Sequence, residues 1–431
     1  MQKVYSAYKS RIHFFYLKNK EEDNMEKQSK RNEGLLFFGR WTSKIGDIVF
    51  DYVNSVVLVH AFTKSSWVLA LYQSSQTIVQ IIFNLIGGAI ADGGKRKKIL
   101  ITTDLLSAIV CLVASFFVQS KLVAVALISA NALLALIFAF SSPTFKAIVR
   151  EMVSKERIVK YNSISNAGKE LISMAGPIIG VSLMSLVGAR GSLIINAITF
   201  FISAISECLL VKFESEEKKE DGKEKKNIIT DIKEGLKYLY NEKPVFALLV
   251  LSALVNFFLA GYNLLLPYTD IMYEGVFEGF YAKAMAAEAI GAILGSLINS
   301  KIPSSFSNKY SSLTIFLGLN GASLLLVPLV NIPRNQILCL LPIVLFGASL
   351  TIFNINLMSY VQVNVAEDFL GRVFSVIFTV AVMFMPLGSW FFSIFNFTEN
   401  VNSFAIVGAG IVVLSLIYLL FVNPGELKEL E

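Results

Sequence analysis

Gly87-Gly88-Ala89-Ile90-Ala91-Asp92-Gly93-Gly94-Lys95-Arg96-Lys97-Lys98 is the stretch whose reading decides the fold of this chain. It joins two long apolar runs, so it forms a short, tight, positively charged turn. Consecutive cations cross a bilayer only at high cost, and Lys95 to Lys98 therefore mark the cytoplasmic side. Gly87 and Gly88 lack a Cβ and let a second helix approach closely. Asp92 places an acid at the mouth of a membrane helix, beside the basic cluster. On the residues alone, the same turn also reads as an ordinary positive-inside loop that aids insertion and does nothing more.

The surrounding composition supports a membrane protein. The chain has 431 residues, 55% of them hydrophobic and 16% charged, and its mean hydropathy is +0.62. That is too apolar for a soluble protein of this size. A spanning helix needs roughly 20 apolar residues, so the length suits about twelve spans joined by short loops. The net charge of +6 gathers in segments read as cytoplasmic. It is an orientation signal, and no nucleic-acid partner is expected. Cys111, Cys208 and Cys339 all fall in apolar runs and form neither a disulfide framework nor a metal site. With only two histidines, no metal centre is expected, and no cofactor. Residues 1–34 are polar and read as a cytoplasmic tail, without a cleavable signal peptide; Met25 begins a second plausible start.

Span 1, from about Leu35 to Ala61, is not uniformly apolar. Arg40, Lys44, Asp47, Asp51, Asn54 and Leu58 recur at helical spacing and share one face. Each charge in the membrane core costs at least ~2.5–3.5 kcal/mol, so this face points to protein interior or water. Asp51 lies near mid-membrane. Asp47 reads either as an ion pair with Lys44 or Arg40, or as a functional acid. Span 2 (about Trp67 to Ala91) carries Gln73, Ser74, Gln76, Gln80 and Asn84. Span 3 (about Ile99 to Val118) carries Asp104, expected to pair with the basic loop. Span 4 (about Leu122 to Phe140) has Asn131 as its strongly polar interior residue and is expected to stop at Pro143. Lys146 to Lys160 is then expected to lie along the membrane surface. Span 5 (about Ser163 to Val187) contains Gly176-Pro177-Ile178-Ile179-Gly180, a kink that a neighbour can close upon. Span 6 runs from about Ser192 to Val211.

Lys212 to Lys243 is the long polar internal segment, a mixed-charge linker followed by an amphipathic helix. Span 7 (about Val245 to Pro267) carries Asn256, Tyr262 and Asn263. In span 8 (about Ala282 to Asn299), Ala284, Glu288, Gly291 and Gly295 share a face, so Glu288 points at a neighbouring helix. Span 9 covers about Leu313 to Val330, and span 10 about Ile337 to Val361 with Asn354. The turn at Gly371 and Arg372 leads into span 11, which Pro386 is expected to interrupt. Span 12 covers about Ser403 to Val422. The expected organisation is a tail (1–34), a six-helix bundle (35–211), a linker (212–244), a second six-helix bundle (245–423) and a cytoplasmic C-terminal tail (424–431).

Gly88, Asp92, Arg96 and Lys97 resemble the loop between the second and third helices of the major facilitator superfamily, Gly-x-x-x-Asp-Arg/Lys-x-Gly-Arg-Arg/Lys. Gly93 stands where that pattern has a cation and Lys95 where it has Gly. Gly176, Pro177 and Gly180 are similar to the core of the fifth-helix motif of its antiporter branches, although Val181 replaces a Gly. Ile45-Gly46-Asp47, Asp231 to Leu236 and Gly371-Arg372-Val373-Phe374 resemble the macrolide-efflux-like branch. The resemblance implies an all-α fold of two pseudo-symmetric six-helix bundles and a rocker-switch carrier. It implies a central cavity lined mainly by spans 1, 4, 7 and 10.

For this branch the resemblance implies proton-driven export of drugs or other amphipathic compounds. Asp51, Glu288 and Asp47 are then the candidates for proton coupling. Asn54, Asn131, Asn256, Asn263 and Asn354 are the candidates for hydrogen bonding in the cavity. Gly88, Asp92, Arg96, Lys97, Gly371 and Arg372 would form an inner gate. The expected partners are a small amphipathic substrate, protons and the lipid bilayer. The chain is expected to be a monomer, multi-pass in the cell membrane, with both termini cytoplasmic. A lipid or lysolipid translocator of the same fold is the nearest rival. A non-transporting membrane sensor or scaffold is the rival of another class. No enzyme is expected: Gly93-Gly94-Lys95 is too short for a phosphate-binding loop and is followed by Arg, not Ser or Thr.

Overall fold

A computed structural model of the chain describes residues 2–91, 96–154, 157–212, 243–303, 306, 310–330, 335–365, 367–395 and 397–421. Within these, the side chains of 2–24, 84–91, 243–245 and 367–372, and of some single positions, are outside the description. The described chain is helical almost throughout and has no strand. Eight of its helical stretches are long and apolar enough to cross a membrane. The charged first span, the second span, and the stretches carrying spans 5 and 11 complete twelve passes.

Span 1 is the second half of one long helix, Gln2–Ala61. Spans 2, 3 and 4 are Ser66–Ala91, Arg96–Phe117 and Val123–Met152. Spans 5 and 6 form a near-continuous helix, Ile158–Cys208, turned at Gly188, whose φ of 69° favours a residue without Cβ. Spans 7 and 8 are Lys243–Leu265 and Phe280–Asn299. Spans 9 to 12 are Tyr310–Val330, Gln336–Asn364, Glu367–Ile394 and Ser403–Phe421. Spans 1 to 6 pack among themselves, span 1 on 5 and 6 and span 2 on 4. Spans 7 to 12 do likewise, span 8 on 10, 9 on 12 and 7 on 11. Span 2 meets span 11 and span 5 meets span 8 across the two groups. Outward faces carry exposed apolar side chains such as Ile109, Val113, Phe116, Leu341 and Leu420, a surface suited to lipid.

Small residues set the closest approaches. On span 5, Gly168, Gly176 and Gly180 lie against Trp41, Ile48 and Tyr52 of span 1. The fifth-helix glycines are thus packing sites for the charged first span. A Cβ on Gly180 would press into the Tyr52 ring. Gly180→Leu is therefore expected to cost about 1–3 kcal/mol by overpacking, measured as a lower thermal midpoint of the purified protein. Gly291 and Gly295 of span 8 face the backbone of Val344 and Ala348 on span 10 in the same way.

The structure differs from the sequence reading at several places along the chain. First, span 4 does not stop at Pro143 but continues to Met152. Proline removes only the bond to the Ala139 carbonyl, and burial of Ile148, Val149 and Met152 beyond it holds the helix; Thr144 Oγ1 adds a bond to the Phe140 carbonyl at 2.7 Å. Pro386 likewise sits inside an unbroken helix. Second, Ile148, Val149, Met152 and Val153 do not lie on a membrane surface. They are buried in a cluster with Leu36, Leu100, Tyr161 and Leu210, because four helix ends converge there. Third, the end of the polar N-terminal segment packs against other helix ends, which the sequence reading did not state. Ser29, Asn32 and Glu33 are buried in the helix that becomes span 1. Asn32 Nδ2 donates to the carbonyls of Met152 at 2.9 Å and Val211 at 2.7 Å. Arg157 Nη2 donates to Glu33 Oε2 at 2.8 Å.

Candidate functional site

Two of the three membrane acids singled out from the sequence line one cavity of about 380 Å³. Asp51 comes from span 1 and Glu288 from span 8, so each half supplies one. Each accepts a hydrogen bond from a buried tyrosine on the adjacent span. Tyr72 of span 2 donates to Asp51 Oδ1 at 3.1 Å, and Tyr262 of span 7 donates to Glu288 Oε2 at 2.8 Å. Hydrogen bonds to charged groups are worth about 1.5–3 kcal/mol, so these pairs hold both carboxyls facing inward. The face-sharing argument for Glu288 holds: Ala284 is fully buried, Gly291 and Gly295 meet span 10, and the carboxyl turns to Tyr262 and the cavity.

Spans 1, 2, 7, 8 and 11 supply the walls, through residues including Gln73, Gln76, Asn263, Tyr281 and Pro386. Span 4 stands behind span 2, where Asn131 Nδ2 donates to the Tyr72 carbonyl at 2.8 Å. Among the described residues neither span 4 nor span 10 lines this cavity, although span 4 lines the smaller one beside it, whereas the resemblance implies both spans in the lining. The halves are joined toward the end that carries residues 62–65. Ser66 Oγ donates to the Ser393 carbonyl at 2.9 Å. Gln73 Nε2 donates to the Asn263 carbonyl at 3.0 Å. Tyr52 stacks on Tyr281 with centroids 5.2 Å apart.

A smaller cavity of about 140 Å³ adjoins on the side of the basic turn and shares Asp51 and Gln76. Arg40, Lys44, Asp47, Asp104 and Asn131 line it. Asp47 thus faces the same charged space as Lys44 and Arg40, as the stripe on span 1 requires. Among the described residues, Asp104 does not pair with the basic loop. It is hydrogen-bonded to Ser203 and feels the Arg40 charge, because its helix face turns toward spans 1 and 6. Arg40 itself lies over the Phe138 and Phe145 rings, at 5.6 and 4.9 Å from their centroids.

The asparagines divide. Asn263 lines the larger cavity and Asn131 the smaller. Asn54 is fully buried and donates to the Tyr72 hydroxyl at 3.3 Å, so it supports the Asp51 pair from behind. Asn256 Nδ2 bonds back to the Ser252 carbonyl of its own helix at 2.8 Å. Asn354 is exposed and lines neither cavity.

At the basic end, Asp92 lies outside the described residues, as do the side chains of Gly371 and Arg372; Gly88 is within the span 2 helix. Arg96 forms an ion pair with Glu151 of span 4. Lys97 Nζ donates to the carbonyls of Cys208 at 2.7 Å and Leu210 at 2.8 Å, capping span 6. Lys212 also approaches Glu151, at 3.5 Å. Glu151→Gln is expected to cost about 1–3 kcal/mol, since it weakens charge-assisted bonds to partly buried groups. Thermal unfolding of the purified variant measures this.

Sequence reasoning missed Tyr72, and it noted Tyr262 without giving it a role. Tyr72 and Tyr262 are ordinary apolar-run residues until two helices are side by side. Gln73, Ser74 and Gln76 were visible as polar residues in span 2, but not which of them face the second half.

A helical bundle with paired acids in a cavity between two halves defines a membrane carrier. A profile of the Major Facilitator Superfamily matches residues 36–384, and the chain belongs to that family. It is 21% identical over 423 residues to macrolide efflux protein A of Streptococcus pyogenes, covering 94% of this chain and all of that one. It is 24% identical to the MFS-type transporter YfiS of Bacillus subtilis, covering 84% of this chain and 87% of that one. The nucleoside transporter NupG superposes with a TM-score of 0.73 at 14% identity, over 91% of this chain and 99% of that one. A D-xylose-proton symporter gives 0.65 at 12% identity, over 89% and 97%. The chain is a transporter of this family, not an enzyme.

Proposed function

We propose that the chain exports an amphipathic small molecule in exchange for protons, by alternating access of the cavity between its halves. The observation that carries this is the convergence of Asp51 and Glu288, one from each half, on one cavity of about 380 Å³. That volume falls within the ~300–1,000 Å³ typical of small-molecule sites. A carboxyl there takes a proton from one side of the membrane and gives it up on the other when the halves rock. The full-length match to macrolide efflux protein A favours drug-like cargo and outward transport. Asp47 and Asn131 border the path from the basic end, and Asn263 the cavity itself.

In this reading the basic end is cytoplasmic, both termini lie there, and the protein sits in the cell membrane as a monomer. The bundles span 35–211 and 245–423, joined by the 212–244 linker. The contacts at Ser66, Gln73 and Tyr52 then close the outer side, which makes this the inward-facing state. Asp92, with Gly371 and Arg372, would close the inner side in the other state. The test is uptake of a panel of radiolabelled amphipathic compounds into inverted vesicles with an imposed pH gradient. Uptake of at least one compound, dependent on the gradient and on the protein, is expected. Gradient-independent uptake throughout the panel overturns proton coupling.

A further inference from the structure

Span 8 begins without a capping side chain of its own. Its N-cap is Gly279, at a φ of 60°, so no hydroxyl or carboxylate at that position answers the first N–H groups of the helix. Asp270, from the turn after span 7, answers them instead. Tyr281 N–H donates to Asp270 Oδ1 at 2.8 Å, and Phe280 N–H also bonds this carboxylate. The positive end of a helix favours an acid at this place. The bond fixes Tyr281, which forms part of the wall of the cavity between the halves. Its ring stacks on Tyr52, and its hydroxyl is hydrogen-bonded to Ser55. Tyr52 and Ser55 belong to span 1, in the opposite half, so this one side chain bridges the halves on the side of residues 62–65.

Farther along span 1 toward that end is His60, whose Nδ1 donates to the Val56 carbonyl at 2.8 Å. Asp270 feels the His60 charge. Among the described residues, the other charge it feels is Lys283 of its own half, and the Tyr52 hydroxyl also lies near it. We propose that Asp270 is a positioning residue of an outer gate: it holds Tyr281 across the cavity, and His60 of the opposite half tightens that hold when it carries a proton. The proposal rests on the reading of this end as the outer, closed side. Histidine is the side chain that ordinarily changes charge between about pH 5 and 8. When the halves part, Lys283 stays with Asp270 and His60 leaves it. A proton on His60 therefore favours the closed state, because a ligand shifts an equilibrium by its difference in affinity for the two states. Acid outside holds the outer end shut.

The experiment is a spin-label distance measurement on the purified full chain in lipid nanodiscs, without cargo or gradient. Cys111, Cys208 and Cys339 are replaced, and nitroxides are attached through Lys121→Cys and Asn402→Cys, exposed positions at the same end of opposite halves. The ratio of closed to open distances is compared between variants at one pH, which removes the shared contribution of Asp51 and Glu288. At about pH 8, His60→Lys is expected to raise the ratio about threefold, the size of an exposed charge pair. With Asp270→Asn in place, His60→Lys is expected to change nothing. At about pH 5.5, His60→Gln is expected to lower the ratio about threefold. His60→Glu, which repels Asp270, is expected to lower it at both pH values, and serves if Asp270→Asn does not fold. A ratio that ignores the His60 substitutions overturns the proposal. So does a response to them that survives Asp270→Asn, since Asp270 then only caps span 8. If these responses hold but vesicle uptake ignores the pH gradient, proton coupling falls and the gate stands.

Discussion

Asp51→Asn is expected to reduce pH-driven uptake into inverted vesicles by at least about tenfold, the equivalent of about 1.4 kcal/mol in the coupled step. Asparagine keeps the size of the side chain and can still accept the Tyr72 hydroxyl bond seen at 3.1 Å. It cannot take up or release a proton, so the driving reaction is removed while the surrounding packing is kept. Asn54, behind Tyr72, continues to hold the tyrosine in place. The comparison with Tyr72→Phe is informative. That variant leaves a titrating acid but removes its hydrogen bond, so it is expected to shift the pH dependence of transport and not to abolish it. Full pH-driven transport by Asp51→Asn moves the coupling role to Glu288, where Glu288→Gln becomes the decisive variant.

Joining the halves at their 62–65 end is expected to stop transport altogether. Ser66 Oγ and the Ser393 carbonyl are 2.9 Å apart, on spans 2 and 11, which belong to opposite halves. With Cys111, Cys208 and Cys339 replaced, the pair Ser66→Cys and Ser393→Cys is expected to cross-link under oxidation. Transport should fall by at least about tenfold and return on reduction, since the halves must separate at this end for the cavity to change sides. The cross-linked protein should still admit a small thiol reagent to a cysteine at Gln76 from the basic side. Undiminished transport by the cross-linked protein rules out rocking about this contact.

The class of the protein was legible in the sequence because a bilayer imposes local rules. Every span needs a run of apolar residues, and cations gather on one side, so length and hydropathy were enough for about twelve spans, while the carrier reading came from the resemblance carried by the Gly87–Lys98 turn and its companion motifs. The helical repeat of Arg40, Lys44, Asp47 and Asp51 also required those charges to face inward, and they do line cavities. Pro143 misled because proline was weighed by local rules, whereas tight packing of the helix end carried the helix on to Met152. The packing of the polar N-terminal segment was not legible for a related reason. Hydropathy does not show that Asn32 and Glu33 find carbonyls and a guanidinium on other helix ends.

Only the tertiary structure decided the site. Asp51 and Glu288 are more than two hundred residues apart, and nothing in their neighbourhoods states that they share a cavity or that each faces a tyrosine. Which asparagines reach that space was equally undetermined. Asn54 and Asn263 look alike in sequence, yet one is sealed between helices and the other opens to the cavity. Periodicity fixes the face of a single helix, but the helix that this face meets depends on how all twelve pack.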